Sequence, residues 1–187
     1  KKPGEMEIIE KIKELDLTLS KVSDAECEKF LGFFDKKRRY FFAGAGRSGF
    51  AIKGFAMRMM HLGYTCFVLG EPTTPSIHEN DVLVIASGSG NTASLVSMAE
   101  KAKSIGAKVM IITIDPTSKI GKIADAYIQV PAPSPKVQSE LSFESIQPMG
   151  SLAEQTASLI FDSLVLQLME RDNMTSDEMF KNHANLE

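Results

Sequence analysis

The chain has 187 residues, 43% of them hydrophobic and 24% charged, and a formal charge of -3. That length supports one core of ordinary domain size, and so mild an acidic balance offers no basic footprint for nucleic acid. No apolar run approaches a membrane span, Lys1-Lys2-Pro3 leads into a charged helix rather than a signal peptide, and Cys27 and Cys66 suggest neither disulfide framework nor metal cluster, so one cytoplasmic domain over residues 1–187 is expected.

Met6, Ile8, Ile9, Ile12, Leu15 and Leu19 fall on one face among lysines and glutamates, which predicts a long amphipathic helix. Ser23 and Glu26 have capping-box spacing and open a second helix through about Asp35. These helices, spanning 5–35, precede any strand and are expected to cover a sheet face or pack on a partner subunit. Arg39 to Ala43 is the first strand, running into Gly44-Ala45-Gly46-Arg47-Ser48-Gly49 and a helix that ends near His61. Thr65 to Leu69 is the second strand, followed by a loop with Pro72 and Pro75.

Asp81 to Ile85 reads as a buried third strand and Ala93 to Ile105 as a helix closed by Gly106. Between them lies Ala86-Ser87-Gly88-Ser89-Gly90-Asn91-Thr92. Lys108 to Ile114 is a fourth strand, apolar enough to be buried on both faces. A short helical turn around Ile120 to Ala124 precedes a fifth strand, Ala126 to Val130. Pro131 to Gln147 is a proline-rich loop, which delivers the chain into a long helix from about Gly150 to Arg171. The tail, 175–187, contains a short helix begun by Ser176 and ends in His183-Ala184-Asn185-Leu186-Glu187.

Strands alternating with helices through short loops imply right-handed crossovers and a parallel sheet covered on both faces. The expected fold is therefore α/β, a three-layer αβα sandwich with a five-stranded parallel sheet, doubly wound as in flavodoxin-like folds.

The loop from Ala86 to Thr92 describes a phosphate cradle. Gly88 and Gly90 permit backbone conformations in which successive N–H groups face one concavity at the positive end of a helix, and Ser87, Ser89 and Thr92 add hydroxyls. A plain turn with Asn91 or Thr92 as helix cap would use some of the same residues. The earlier loop, Gly44-x-Gly46-x-x-Gly49, matches a dinucleotide fingerprint, with Glu71 near the position of a ribose-binding acid. Arg47 and Ser48 in that loop suit a small anion better. Two polar glycine loops at one sheet edge would enclose a phosphate with several hydroxyls attached, which describes a sugar phosphate.

The pairing of G-A-G-R-S-G with A-S-G-S-G-N-T on successive strands resembles the sugar isomerase (SIS) domain. Within that family, Phe55 to Gly63, Glu71-Pro72-Thr73-Thr74-Pro75, Gln147 to Gln155 and the ending from His183 to Glu187 are similar to the 6-phospho-3-hexuloisomerases. The segment Ser76-Ile77-His78-Glu79-Asn80 is more charged than that pattern.

The resemblance implies interconversion of 3-hexulose 6-phosphate and fructose 6-phosphate through a cis-enediolate, in the ribulose monophosphate pathway that fixes or releases formaldehyde. One carboxylate can serve both carbons, so neither a metal nor a redox cofactor is required. Glu154 is the implied base, although Ser151 to Glu154 also has capping-box spacing. His183 resembles the histidine that a neighbouring subunit donates, which implies a homo-oligomer, a dimer or tetramer; His61 and His78 are its competitors. Phosphate is expected on Ser48, Ser87, Ser89 and Thr92 with the backbone of Gly88, Gly90 and Asn91, and Arg47 either orients the substrate or is structurally paired. Three other readings stay open: an SIS isomerase of a pentose or heptose phosphate, a non-catalytic sugar-phosphate-binding regulatory module, and a nicotinamide oxidoreductase.

Overall fold

The computed structural model describes residues 5–135 and 143–187, so Lys1-Lys2-Pro3 and positions 136–142 of the proline-rich loop lie outside the described residues. Strand side chains alternate between the two sides of a sheet, and here both sides are apolar. Phe42, Val84, Ile112 and Ile128 enter one core with Phe55 and Phe161, whereas Phe41, Ile85 and Ile111 enter another with Leu95 and Ile120. Helices on both faces follow from that pattern.

The strands are β1 (Arg39–Gly44), β2 (Thr65–Val68), β3 (Val82–Ala86), β4 (Lys108–Thr113) and β5 (Ala126–Gln129). They pair in parallel, in the order β2-β1-β3-β4-β5. On the first face lie α1 (Glu5–Leu19), α2 (Asp24–Leu31), α3 (Gly46–His61) and α6 (Ser151–Arg171), joined by α7 (Ser176–Phe180); on the second lie α4 (Ala93–Ile105) and α5 (Lys119–Ile123). This is the expected three-layer αβα sandwich. Phe55 of α3 stacks on Phe161 of α6 with centroids 4.6 Å apart, an arrangement worth about 1 kcal/mol beyond its burial.

Several local expectations are corrected. α2 ends at Leu31 rather than Asp35, because Gly32 closes it. Ser23 caps it by accepting the Glu26 N–H, but the Glu26 carboxylate does not fold back. It accepts the Gln129 N–H at 2.8 Å instead, which satisfies a backbone donor on the edge strand β5. α1 is amphipathic in the unexpected sense: Leu15 and Leu19 pack on the core, yet Ile8 and Ile12 are 58% and 60% exposed while Glu14 is buried.

α3 lies close on β1. A Cβ on Gly49 would meet the Gly44 carbonyl oxygen at 2.8 Å, closer than real contacts allow. The fingerprint glycines Gly44 and Gly49 thus serve helix–strand packing.

Candidate active site

β1 and β3 pair directly, and from them the chain winds outward in opposite directions, to β2 on one side and to β4 and β5 on the other. The carboxyl ends of such neighbours leave a crevice where open α/β sheets bind ligands. Here β1 passes into α3 and β3 passes through Ser87 to Thr92 into α4. The start of α6 closes a third side. The resulting cavity, about 500 Å³, is lined by Ser48, Ser87, Ser89, Thr92, Met149 and Glu154 among others, and its size suits a small molecule.

The N-termini of α3, α4 and α6 share a property. Their N-cap residues, Ala45, Thr92 and Gly150, make no side-chain cap hydrogen bond, and all three line this cavity. By contrast, α2, α5 and α7 begin under the hydroxyls of Ser23, Ser118 and Thr175. An uncapped first turn keeps N–H groups without intrahelical partners at the positive end of a dipole. Three of them around one space make it receptive to an anion.

The loop after β3 is held from within. Ser87 Oγ accepts the Gly90 N–H at 3.1 Å and Ser89 Oγ accepts the Asn91 N–H at 3.2 Å. A hydroxyl that accepts still has its own proton to donate, so both serines can bond an anion while bracing the loop. The same bonds occupy the Gly90 and Asn91 amides, which the cradle reading had assigned to phosphate.

Gly90 and Asn91 stand behind the cavity wall, outside its lining. The Gly90 carbonyl accepts the Ile120 N–H at 3.1 Å and Asn91 Oδ1 accepts the Lys119 N–H at 2.9 Å, fastening the loop to α5. Gly90 has φ +65°, and a Cβ there would lie 1.9 Å from Ser118 Oγ. Gly88 does line the cavity, and its carbonyl accepts the buried Thr113 hydroxyl at 3.0 Å. Thr113 carried no motif that could have singled it out.

Glu154 lies in the first turn of α6, but the expected capping box does not form. Gly150 occupies the N-cap and Ser151 is the first helical residue, itself buried. The Glu154 carboxylate lies beside Gly150 without a side-chain cap bond to the first turn. Its Oε2 pairs with Nε of Arg47 in the first turn of α3. Arg47 is outside the cavity lining and reaches the site through this pair. Just before α6, Met149 takes a left-handed φ of +52° while lining the cavity, a conformation costing a non-glycine residue about 1–3 kcal/mol.

The histidines lie elsewhere. His183 stacks on His61 and Phe180, with centroids 5.5 and 5.3 Å away, at the C-terminal end of α3. Arg47 and His61 are fourteen residues apart on that helix, about 21 Å at the α-helical rise. Within one chain, then, the fold does not bring His183 to Glu154. His61 is buried, and burial, reinforced by the Arg58 cation and by His183, holds its ring below the usual histidine range. His78 is exposed, 3.3 Å from Ser76 Oγ. Glu71 is exposed and outside the cavity lining. Burial pushes the thiol of the half-buried Cys66 up to about 12, far from the range of a reactive thiolate.

Comparison with known proteins finds the SIS domain family over residues 33–159. The chain is 46% identical to the 3-hexulose-6-phosphate isomerase of Bacillus subtilis over 96% of its own length and 97% of that protein's. It is 40% identical to the 3-hexulose-6-phosphate isomerase of Mycobacterium gastri, over 80% and 74% of the two chains. Among solved structures, a Methanococcus jannaschii protein inferred to be a 3-hexulose-6-phosphate isomerase superposes with a TM-score of 0.83 at 32% identity, covering 97% of this chain and 99% of that one.

Proposed function

The chain belongs to the SIS domain family, and from that premise we propose that its cavity interconverts 3-hexulose 6-phosphate and fructose 6-phosphate. The observation that carries this reading is the position of Glu154, whose carboxylate borders the same cavity as the hydroxyls of Ser48, Ser87, Ser89 and Thr92.

The phosphate binds at the hydroxyl end, between the uncapped first turns of α3 and α4. Each hydrogen bond to its charge contributes roughly 1.5–3 kcal/mol, so three or four anchor the substrate. Glu154 then takes the proton beside the carbonyl. Starting from fructose 6-phosphate, it removes the C3 proton to give a cis-enediolate and returns it to C2, while a hydroxyl proton passes from O3 to O2. Arg47, already against this carboxylate, lies where a guanidinium can orient substrate hydroxyls or offset the enediolate charge. His183 serves the cavity of a neighbouring subunit in a dimer or tetramer, since its own is a helix length away.

The test is an NMR spectrum of fructose 6-phosphate incubated with the protein in D₂O. Loss of the C3 proton with growth of a 3-ketose supports the reading. Exchange at C1 would mean an aldose–ketose isomerase instead. No exchange, with fructose 6-phosphate still raising the melting temperature, would leave a sugar-phosphate-binding module.

A further inference from the structure

Glu14 of α1 is 8% exposed, and it points its carboxylate at the segment that leads into α6. Oε1 accepts the Ile146 N–H at 2.7 Å, and Oε2 accepts the Ser145 hydroxyl at 2.9 Å and the Gln147 amide at 3.3 Å. Ser145 Oγ in turn accepts the Gln147 N–H at 3.0 Å. The Gln147 side chain exchanges two hydrogen bonds, of 3.0 and 2.7 Å, with Gln155, the residue next to Glu154.

No cation pairs with Glu14 among the described residues. Burying such a carboxylate costs more than burying an apolar side chain of the same size. What the carboxylate supplies, and an apolar group cannot, is a fixed attachment for residues 145–147. Three residues beyond that attachment is Gly150, the N-cap of α6, reached through the left-handed Met149. A strained residue keeps its conformation only where its surroundings impose it. Glu14 upstream and Gln155 downstream hold both sides of this bend.

We propose that Glu14 is a positioning residue of this site: its carboxylate and the Gln147–Gln155 amide pair form a clasp that sets the first turn of α6, and so Glu154, against the loop from Ser87 to Thr92. The proposal rests on the reading of Glu154 as the base. It predicts a division of effects, because phosphate is held by α3 and α4, which the clasp does not touch.

The experiment compares Glu14→Ala, Glu14→Gln, Gln147→Ala and the Glu14→Ala/Gln147→Ala double variant in the full-length protein, well below each melting temperature. Misplacing a catalytic group by an ångström costs on the order of 10²-fold, so Glu14→Ala should lower kcat by about that factor and change KM for fructose 6-phosphate less than about threefold. Glu14→Gln keeps the acceptor for the Ile146 N–H but gives up the acceptor for the Gln147 amide, so its kcat should fall between those of the parent and Glu14→Ala. Amide exchange at Ile146 should quicken in Glu14→Ala, and the double variant should lose no more than its worse parent. A wild-type kcat in Glu14→Ala, a Glu14→Gln as slow as Glu14→Ala, or losses that multiply in the double variant would each overturn the clasp. If Glu14→Ala does not fold, Gln147→Ala decides: lowered kcat with preserved KM supports the clasp, and a wild-type kcat overturns it. A parent protein that exchanges no C3 proton overturns the isomerase reading, and this proposal with it. That failure is told apart from loss of the clasp alone by the parent's own inactivity.

Discussion

Arg47 of α3 and Glu154 of α6 form an ion pair that joins two helix N-termini at one cavity. An exposed pair of this kind contributes about 1 kcal/mol or less to stability, and Arg47 is largely solvent-facing. Under the proposed function its role is chemical. Glu154→Gln should slow both turnover and C3 proton exchange by about 10² to 10⁴-fold, the range of a general base. Arg47→Ala should lower kcat by roughly 10-fold or more, as expected for a lost charge-assisted bond, with little change in melting temperature. A large loss of stability in Arg47→Ala would show that the pair is structural.

The hydroxyls around the proposed anion site should separate by what else they hold. Thr92 makes no cap bond, so Thr92→Val should raise KM for fructose 6-phosphate without loss of stability. Ser87 accepts the buried Gly90 N–H, so Ser87→Ala should raise KM and also cost about 1–3 kcal/mol in urea unfolding. Equal stability of the two variants would contradict this assignment.

His183 lies about a helix length from Glu154 of its own chain. If it acts on a neighbour, oligomers reassembled at random from a 1:1 mixture of Glu154→Gln and His183→Ala chains combine both intact residues at about a quarter of all sites. Activity of the reassembled mixture should therefore exceed the mean of the two separate variants. With the 3-ketose as substrate, His183→Ala should also lose less than Glu154→Gln. The phosphorylated C6 hydroxyl cannot close a ring on C3, and the C5 hydroxyl would form only a strained four-membered one, so this substrate reacts open-chain. No gain on mixing would place His183 outside the site.

Asp81 receives Arg39 Nε at 2.9 Å and Nη2 at 2.6 Å, together with the His78 N–H at 2.6 Å. Burial alone would raise its carboxyl, but the bonds from Arg39 and His78 outweigh that and hold it below the ordinary value of 3.8. The unfolded chain therefore binds the proton first as pH falls. The stabilisation is complete above the ordinary value and is lost as pH drops through the folded one. Asp81→Asn should be less stable than the parent by about 2 kcal/mol at pH 7, and urea unfolding should show the gap closing as the solution becomes more acid than that ordinary value. A gap unchanged down to the acid limit would mean that the carboxylate's charge contributes nothing.

Local pattern alone determined the order and kind of the elements. Runs such as Val82 to Ala86 are apolar on both sides of the pleat, so they belong in a covered parallel sheet, and the two glycine loops had to emerge together at its carboxyl edge. Residue chemistry also marked Ser48, Ser87, Ser89 and Thr92, all of which line the cavity. The roles of Gly90 and Asn91 depended on α5, which comes later in the chain and takes up their polar groups. Glu154 kept capping-box spacing that only the placement of Gly150 as N-cap could break. Glu14 looked like one more solvated charge on an amphipathic helix, because periodicity records which residues share a face and not which way that face turns. That direction was decided by packing: α1 bonds a loop more than 130 residues away, and hydrogen bonds of that range have no signature in local sequence.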